Sequence, residues 1–175
     1  SLVTSEAGGT ATFTVRLNTQ PTANVTIALS SSDATEGTVA PTILTFTAAN
    51  WNTPQTVTVT GQNDDIDDGD IAYTIVTAAA ASTDSKYNNL AVADVSVTNT
   101  DNDTAGITVN PVAGLVTTEA GGTATFTVVL NTQPTADVTI GVSSSDTTEG
   151  TVSPAMLTFT AANWNTPQTV TVTGQ

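Results

Sequence analysis

TATFTVRL (residues 10–17) puts Ala11, Phe13, Val15 and Leu17 on one side of an extended chain and the threonines on the other. Alternation with a period of two marks a strand with one face on a core and the other toward water. Threonine suits that outer face, because a β-branched polar side chain fits a half-solvated sheet. QTVTVT (55–60) reads the same way, with Val57 and Val59 sharing a face.

The opening octet returns as TATFTVVL at 123–130, and the match runs far beyond it. Residues 1–62 recur as 114–175, an offset of 113, with 52 of 62 positions identical. The differences are mild: Val129 stands for Arg16, Asp137 for Asn24 and Met156 for Ile43. A period of about 113 residues makes the chain roughly one and a half repeat units. The expected domains are therefore 1–105 and 106–175, the latter being the first part of a second, near-identical unit.

Within one unit the alternation predicts seven strands: A over about 106–118, B over 10–18, C over 24–31, D over 42–48, E over 54–61, F over 70–77 and G over 91–99. EAGG (6–9), NTQPTA (18–23) and DDGD (67–70) supply turn chemistry, and Gly69 is suited to positive φ. The alanine run 78–81 is too short to nucleate a helix. Short strands at this spacing predict an all-β chain, a seven-stranded antiparallel immunoglobulin-like β-sandwich in tandem repeat. The second unit, 106–175, holds strands A to E without F and G. Its open edges are expected to be completed by further residues of the same polypeptide or by strands from another molecule, the latter building a fibre.

Sixteen acids against two bases give a net charge of −14. That balance excludes nucleic acid and anionic membrane surfaces, which require basic patches. There is no cysteine, so disulfides play no part. No apolar run is long enough to span a membrane, so direct membrane insertion is not expected, and SLVTSEAGG has no signal-peptide character. Any export address is expected outside these residues.

NDDIDDGD (63–70) carries five aspartates in eight positions, and the only cationic side chains are Arg16 and Lys86. In an antiparallel sandwich, strands A, C, E and G run one way and end at one pole. Glu6 follows A, Asp33 follows C, Asp64 and Asp65 follow E, Asp67, Asp68 and Asp70 line the E–F loop, and Asp101 and Asp103 follow G. Only Glu36, Asp84 and Asp94 of the first unit are left unassigned by this rule. Several loops offering hard oxygens to one place is what Ca²⁺ needs. Mg²⁺ demands a stricter octahedron, and zinc is disfavoured without His or Cys. The competing reading is a solvated acidic loop that deters aggregation. An EF-hand does not fit, since from Asp64 the ligand positions fall on Ile66 and Ile75.

SEAGGTATFTVRL, SSDATEGTV, LTFTAANWN, QTVTVTGQNDD, DDGDIAYTI and VADVSVTNTDND, in that order, resemble the successive motifs of Calx-β domains. Such domains are familiar from sodium–calcium exchangers and from tandem arrays in large bacterial surface proteins. The resemblance implies a Ca²⁺ cluster, with ligand roles falling by position to Glu6, Asp33, Asp64, Asp65, Asp68, Asp70, Asp101 and Asp103. In the second unit the same roles fall to Glu119 and Asp146. Two departures stand out: Asp68 and Asp70 occupy positions where the family commonly has glutamate, and Asp33 lies in SSDATEG rather than before a DY pair.

The function expected from this reading is a structural repeat of a long extracellular adhesin, stalk or filament, at a bacterial cell surface. Ca²⁺ would brace the domain and its junction to the next repeat, and the partners would be neighbouring repeats of the same chain or fibre. The alternatives are a glycan- or protein-binding adhesin module, a Ca²⁺ sensor that changes shape, and a strand-exchanged fibre subunit, with any cell-surface ligand bound elsewhere in the parent protein. No enzymatic activity is expected, since the acids face no apolar cleft and no His or Cys accompanies them. Trp51 and Trp164, both in AANWNTPQ, are read as packing over the sandwich edge rather than stacking on sugars. Tyr73 is read as a core residue with Ile71 and Ile75. NVT (24–26) and NDT (102–104) are chance-level sequons.

Overall fold

Fifteen strands and no helix form in the computed structural model, which describes residues 1–175. The chain divides into two units, one comprising Ser1–Asp64 with Asp68–Asn102, the other Asp65–Asp67 with Asp103–Gln175.

The first unit contains β1 (Leu2–Ser5), β2 (Thr10–Val15), β3 (Val25–Ser31), β4 (Gly37–Ala40), β5 (Ile43–Phe46), β6 (Gln55–Gly61), β7 (Ile71–Thr77), β8 (Ala81–Ser82) and β9 (Val95–Thr100). One sheet has the order β1-β9-β7-β3-β5, with β8 also on β3, and the other is β2-β6-β4. Register brings the alternating apolar residues together. Phe13 pairs with Val57, and Ala11 and Val39 both pair with Val59. Val57 is sealed against Val25, Ile27, Leu44 and Phe46 of the opposite sheet, and Val59 against Tyr73, Ile75 and Val97. Side chains from two sheets sharing one interior make this an all-β sandwich. Trp51 packs partly buried on the same core.

Nine strands stand where seven were expected, and the pairing is not wholly antiparallel. β4 pairs antiparallel with β6, whereas β5 pairs antiparallel with β3 in the other sheet. The chain thus changes sheets between Ala40 and Ile43, across Pro41, which has no N–H to give to a ladder. β1 lies parallel to β9, from Leu2 opposite Val97 to Ser5 opposite Thr100. Residues 91–94, expected within a strand, lie outside it, and there Asp94 Oδ1 accepts from the Thr77 amide at 2.8 Å and hydroxyl at 3.0 Å.

The second unit contains β10 (Ile107–Asn110), β11 (Thr123–Leu130), β12 (Val138–Gly141), β13 (Gly150–Ser153), β14 (Met156–Phe159) and β15 (Gln168–Gly174). Its sheets are β10-β11-β15-β13 and β12-β14. The β11–β15 register, Thr123 opposite Thr173, repeats the β2–β6 register, Thr10 opposite Thr60. Val128, Leu130, Leu157, Phe159 and Val170 form its core, with Trp164 packed on it. The strand expected over 106–118 forms only at β10. LVTT at 115–118 repeats the LVTS of β1 yet makes only an isolated bridge from Thr118 to Gly122. In the first unit that segment takes its hydrogen bonds from β9, and these residues contain no second copy of β9.

Candidate metal centre

Strand direction gathers the carboxylates. β1 is parallel to β9, β9 antiparallel to β7 and β7 antiparallel to β3, so β1, β3 and β9 end on the same side. β6 ends there too. A Cβ on Gly61 would meet the Ser5 carbonyl and Asn99 Oδ1, so only glycine lets the end of β6 approach the ends of β1 and β9 this closely. The Gly61 amide donates to the Gly9 carbonyl at 3.0 Å and the Gln62 amide to the Glu36 carbonyl at 3.0 Å.

Two groups of carboxylates form at this pole. Glu36, Asp64 and Asp68 each present an oxygen within 4.8 Å of the others, and Glu6 and Asp101 present theirs equally close. Both glutamates are nearly sealed from water, Glu6 at 4% exposure and Glu36 at 7%. The aspartates range from half-buried to exposed, so each group has a buried base and an open rim.

Local sequence explains the delivery of Glu36. Asp33 Oδ1 accepts from the Thr35 amide at 3.0 Å and the Thr35 hydroxyl at 2.5 Å, closing an Asx turn that reverses the chain after β3. Gly37 then passes against the Tyr73 ring, where any Cβ would collide with its hydroxyl. Glu36 Oε2 accepts from Asn99 Nδ2 at 3.4 Å, and the same nitrogen donates to the Gln62 carbonyl at 3.0 Å. Thr4 donates to Asn99 Oδ1 at 2.9 Å and lies 3.2 Å from the Tyr73 hydroxyl. A buried polar chain thus runs from the core tyrosine to the carboxylate group, and Asn99 in its middle is 1% exposed.

Glu6 is held from the end of β9. Its Oε2 accepts from the Asn102 amide at 3.1 Å and from Asn102 Nδ2 at 3.4 Å. Asp101 Oδ2 accepts from the Gly69 amide at 2.7 Å, and Asp70 Oδ1 accepts from the Asp101 amide at 3.1 Å. The DDGD turn, with Gly69 at φ 78°, is thereby tied to the end of β9.

Electrostatics follow from this burial. Desolvation pushes the Glu6 carboxyl above its ordinary value, opposed by the Asn102 amide and reinforced by Asp101 and Asp64. Desolvation likewise raises Glu36, opposed by Asn99 and reinforced by Asp68, Asp33 and Asp64. Two largely buried carboxylates among like charge favour the uptake of a proton or a cation. The chain's own cations are elsewhere, since Arg16 follows β2, whose Val15 sits opposite Gln55 at the start of β6, while the acids follow the end of β6. Six residues of strand at roughly 3.3 Å each separate those ends by about 20 Å.

The donor set fits a hard cation. Every side-chain donor in the two groups is a carboxylate oxygen, and the chain has no His or Cys. This suits Ca²⁺, which accepts an irregular shell of carboxylates and carbonyls, better than a thiophilic or imidazole-seeking metal. When bound, such an ion would neutralise the carboxylates and tie the loops after β1, β3, β6 and β9 together.

The sequence-derived ligands divide accordingly. Glu6, Asp64, Asp68 and Asp101 enter the groups, whereas Asp103 falls in the second unit. Asp33, Asp65 and Asp70 do not, Asp33 being spent on its turn and held below its usual range chiefly by the Thr35 hydroxyl. Asp65 is exposed, and its backbone carbonyl accepts from the Gln133 amide at 2.7 Å. Glu119 and Asp146 are exposed and join neither group, and Asp146 closes the same Asx turn onto Thr148, at 3.0 Å and 2.6 Å. Glu36, unassigned by the strand-end rule, joins Asp64 and Asp68 although it follows the turn rather than the strand. Its position directly before Gly37 was the available signal.

No family model matches the chain, and no curated protein matches it. Among solved structures it is similar to CBD12 from CALX1.2, with 17% identity and a TM-score of 0.44, over 99% of this chain and 71% of that one. A likeness of that strength decides nothing about chemistry, and the assignment of the site rests on the carboxylates themselves.

Proposed function

We propose that the first unit binds Ca²⁺ through Glu36, Asp64 and Asp68 and through Glu6 and Asp101. The observation that carries this reading is the burial of Glu6 and Glu36, each with a further carboxylate oxygen within 4.8 Å and no basic side chain in either group. In this reading the ion is structural: it stiffens the pole of the sandwich and the point where the chain leaves β9 for the next sequence repeat. The protein then serves as a repeat of an extracellular adhesin, stalk or filament, at a bacterial surface, with neighbouring repeats as its partners. The half-open rims support such a setting, since extracellular Ca²⁺ modules work with Kd of about 10⁻⁴–10⁻³ M. The resemblance to Calx-β motifs and the net charge of −14 agree with it.

The test is thermal unfolding in Ca²⁺, in Mg²⁺ and in chelator. At a hundredfold excess over Kd the ion adds about 2.7 kcal/mol. For a chain of this length each kcal/mol moves the midpoint by about 2–4 °C, so Ca²⁺ should raise it by roughly 5–11 °C. Equal midpoints in Ca²⁺ and chelator would sink the metal reading. Solution scattering tests the structural role: a spacer loses stiffness in chelator, whereas a sensor switches between two compact forms.

A further inference from the structure

At the end of the first sandwich away from the carboxylates, its core opens into a cavity of about 420 Å³. Leu17, Ile27, Ala80 and Tyr87 belong both to the buried core and to the cavity wall, and Leu90, 51% exposed, stands at its edge. Arg16 and Lys86, the only basic side chains of the chain, both line it, and none of the sixteen acids does. In a protein of net charge −14, that places the whole cationic side-chain complement around one opening with a partly apolar wall. The volume falls within the range of small-molecule sites, which pair apolar walls with a few polar groups.

We infer that this cavity binds a small anionic amphiphile, its hydrocarbon body against Leu17, Ile27 and Val92 and its anionic head between Arg16 and Lys86. Charge complementarity selects the head. The wall selects the body: the Tyr87 hydroxyl is already occupied, donating to the Thr19 carbonyl at 2.6 Å and lying 2.7 Å from the Thr19 hydroxyl. Besides Arg16 and Lys86, the polar side chains on the wall are Asn18, Thr19 and this tyrosine, and the buried tyrosine ring offers a sugar no open stacking face. Asp84 stands next along the chain from Lys86 but one, yet its oxygens accept from the Thr22 amide at 2.8 Å and the Lys86 amide at 2.9 Å rather than lining the cavity. The second unit has Val129 at the position of Arg16, so the site belongs to the first unit alone.

The probe is octanesulfonate, which stays soluble with Ca²⁺, titrated into the full chain below its micelle-forming concentration and followed by amide NMR. Saturable shifts at 16–19 and 86–92 are expected. Arg16→Gln with Lys86→Gln, both exposed, should leave the spectrum folded and raise Kd by about tenfold or more, the effect of about 1.4 kcal/mol. Octanol should bind more weakly than octanesulfonate, and glucuronate should not bind. The proposal falls if no saturable shift occurs at those amides, if the double variant binds unchanged, or if glucuronate binds in place of octanesulfonate.

Discussion

Glu36→Gln should change the sign of its effect on stability with the presence of Ca²⁺. Glutamine keeps the oxygen that accepts from Asn99 Nδ2, so the buried polar chain through Asn99 and Thr4 survives and only the charge is removed. Two like charges 4.8 Å apart repel by about 3.5 kcal/mol at an effective dielectric constant of 20. Solvent screening at exposed Asp68 and half-buried Asp64 reduces what is realised to about 1–2 kcal/mol. In chelator the variant should therefore melt roughly 2–8 °C above the parent protein. In saturating Ca²⁺ it should melt below the parent, because a neutral amide is a poorer ligand and a hundredfold loss of affinity removes about 2.7 kcal/mol. Calorimetric scans of both proteins in both buffers read all four midpoints. Asp84→Asn is the control, since Asp84 holds the Thr22 and Lys86 amides away from the carboxylate groups. It should lower the midpoint equally with and without the ion. A Glu36→Gln midpoint shifted the same way in both buffers would refute the role of Glu36 as a ligand.

Acid should stabilise the ion-free protein. Glu6 and Glu36 have folded-state values above the ordinary 4.5, so between the unfolded and folded values the native state holds more protons and stability falls as pH rises. Asp33, Asp84 and Asp146 are held below the ordinary 3.8, so their contribution is present above that value and is lost only as pH falls through their lower folded values. In chelator the midpoint at pH 5 should exceed that at pH 7.5, and Ca²⁺, which competes with protons, should reverse the order; a chelator profile that rises toward neutrality contradicts the burial argument. Hydrogen exchange should separate the two copies of one sequence: amides of the β1 ladder in 2–5 should exchange about a hundredfold or more slowly than their counterparts in 115–118, and equal rates would show that β1 does not depend on β9.

Alternation made much of the fold legible. The expected strands 24–31, 54–61 and 70–77 match β3, β6 and β7 to within a residue at each end, and Gly69 takes the positive φ that DDGD requires. Periodicity reports which face is buried, but not which sheet a strand joins, so the change of sheet around Pro41 was not visible. Nor was the parallel pairing of β1, because the alternation of LVTS is the same whether its neighbour runs with it or against it. At the site, counting strand ends located the pole and placed Glu6, Asp64, Asp68 and Asp101 there, but an acid's place in a loop depends on the turn before it. Asp33 and Glu36 lie three residues apart, and the Thr35 contacts turn the first outward while Gly37 lets the second in.

The near-identical copies separate what local sequence decides from what the surroundings decide. TATFTV folds into the same register against QTVTVT in both, so that hairpin-like pairing is written into the segments themselves. LVTS becomes a strand beside β9, but LVTT, without such a neighbour, does not. The acids follow the same division: Glu6 is buried and Glu119 exposed, Glu36 is buried and Glu149 exposed. Desolvation of the glutamates is thus a product of β7 and β9, which bring Asn99, Asp101 and Asn102 to the pole. A carboxylate left in water has little reason to hold a cation tightly, whereas one already stripped of water and facing like charge gains the most from binding it. Ion affinity should therefore appear with those strands, and the same residues without them should remain an ordinary solvated acidic surface.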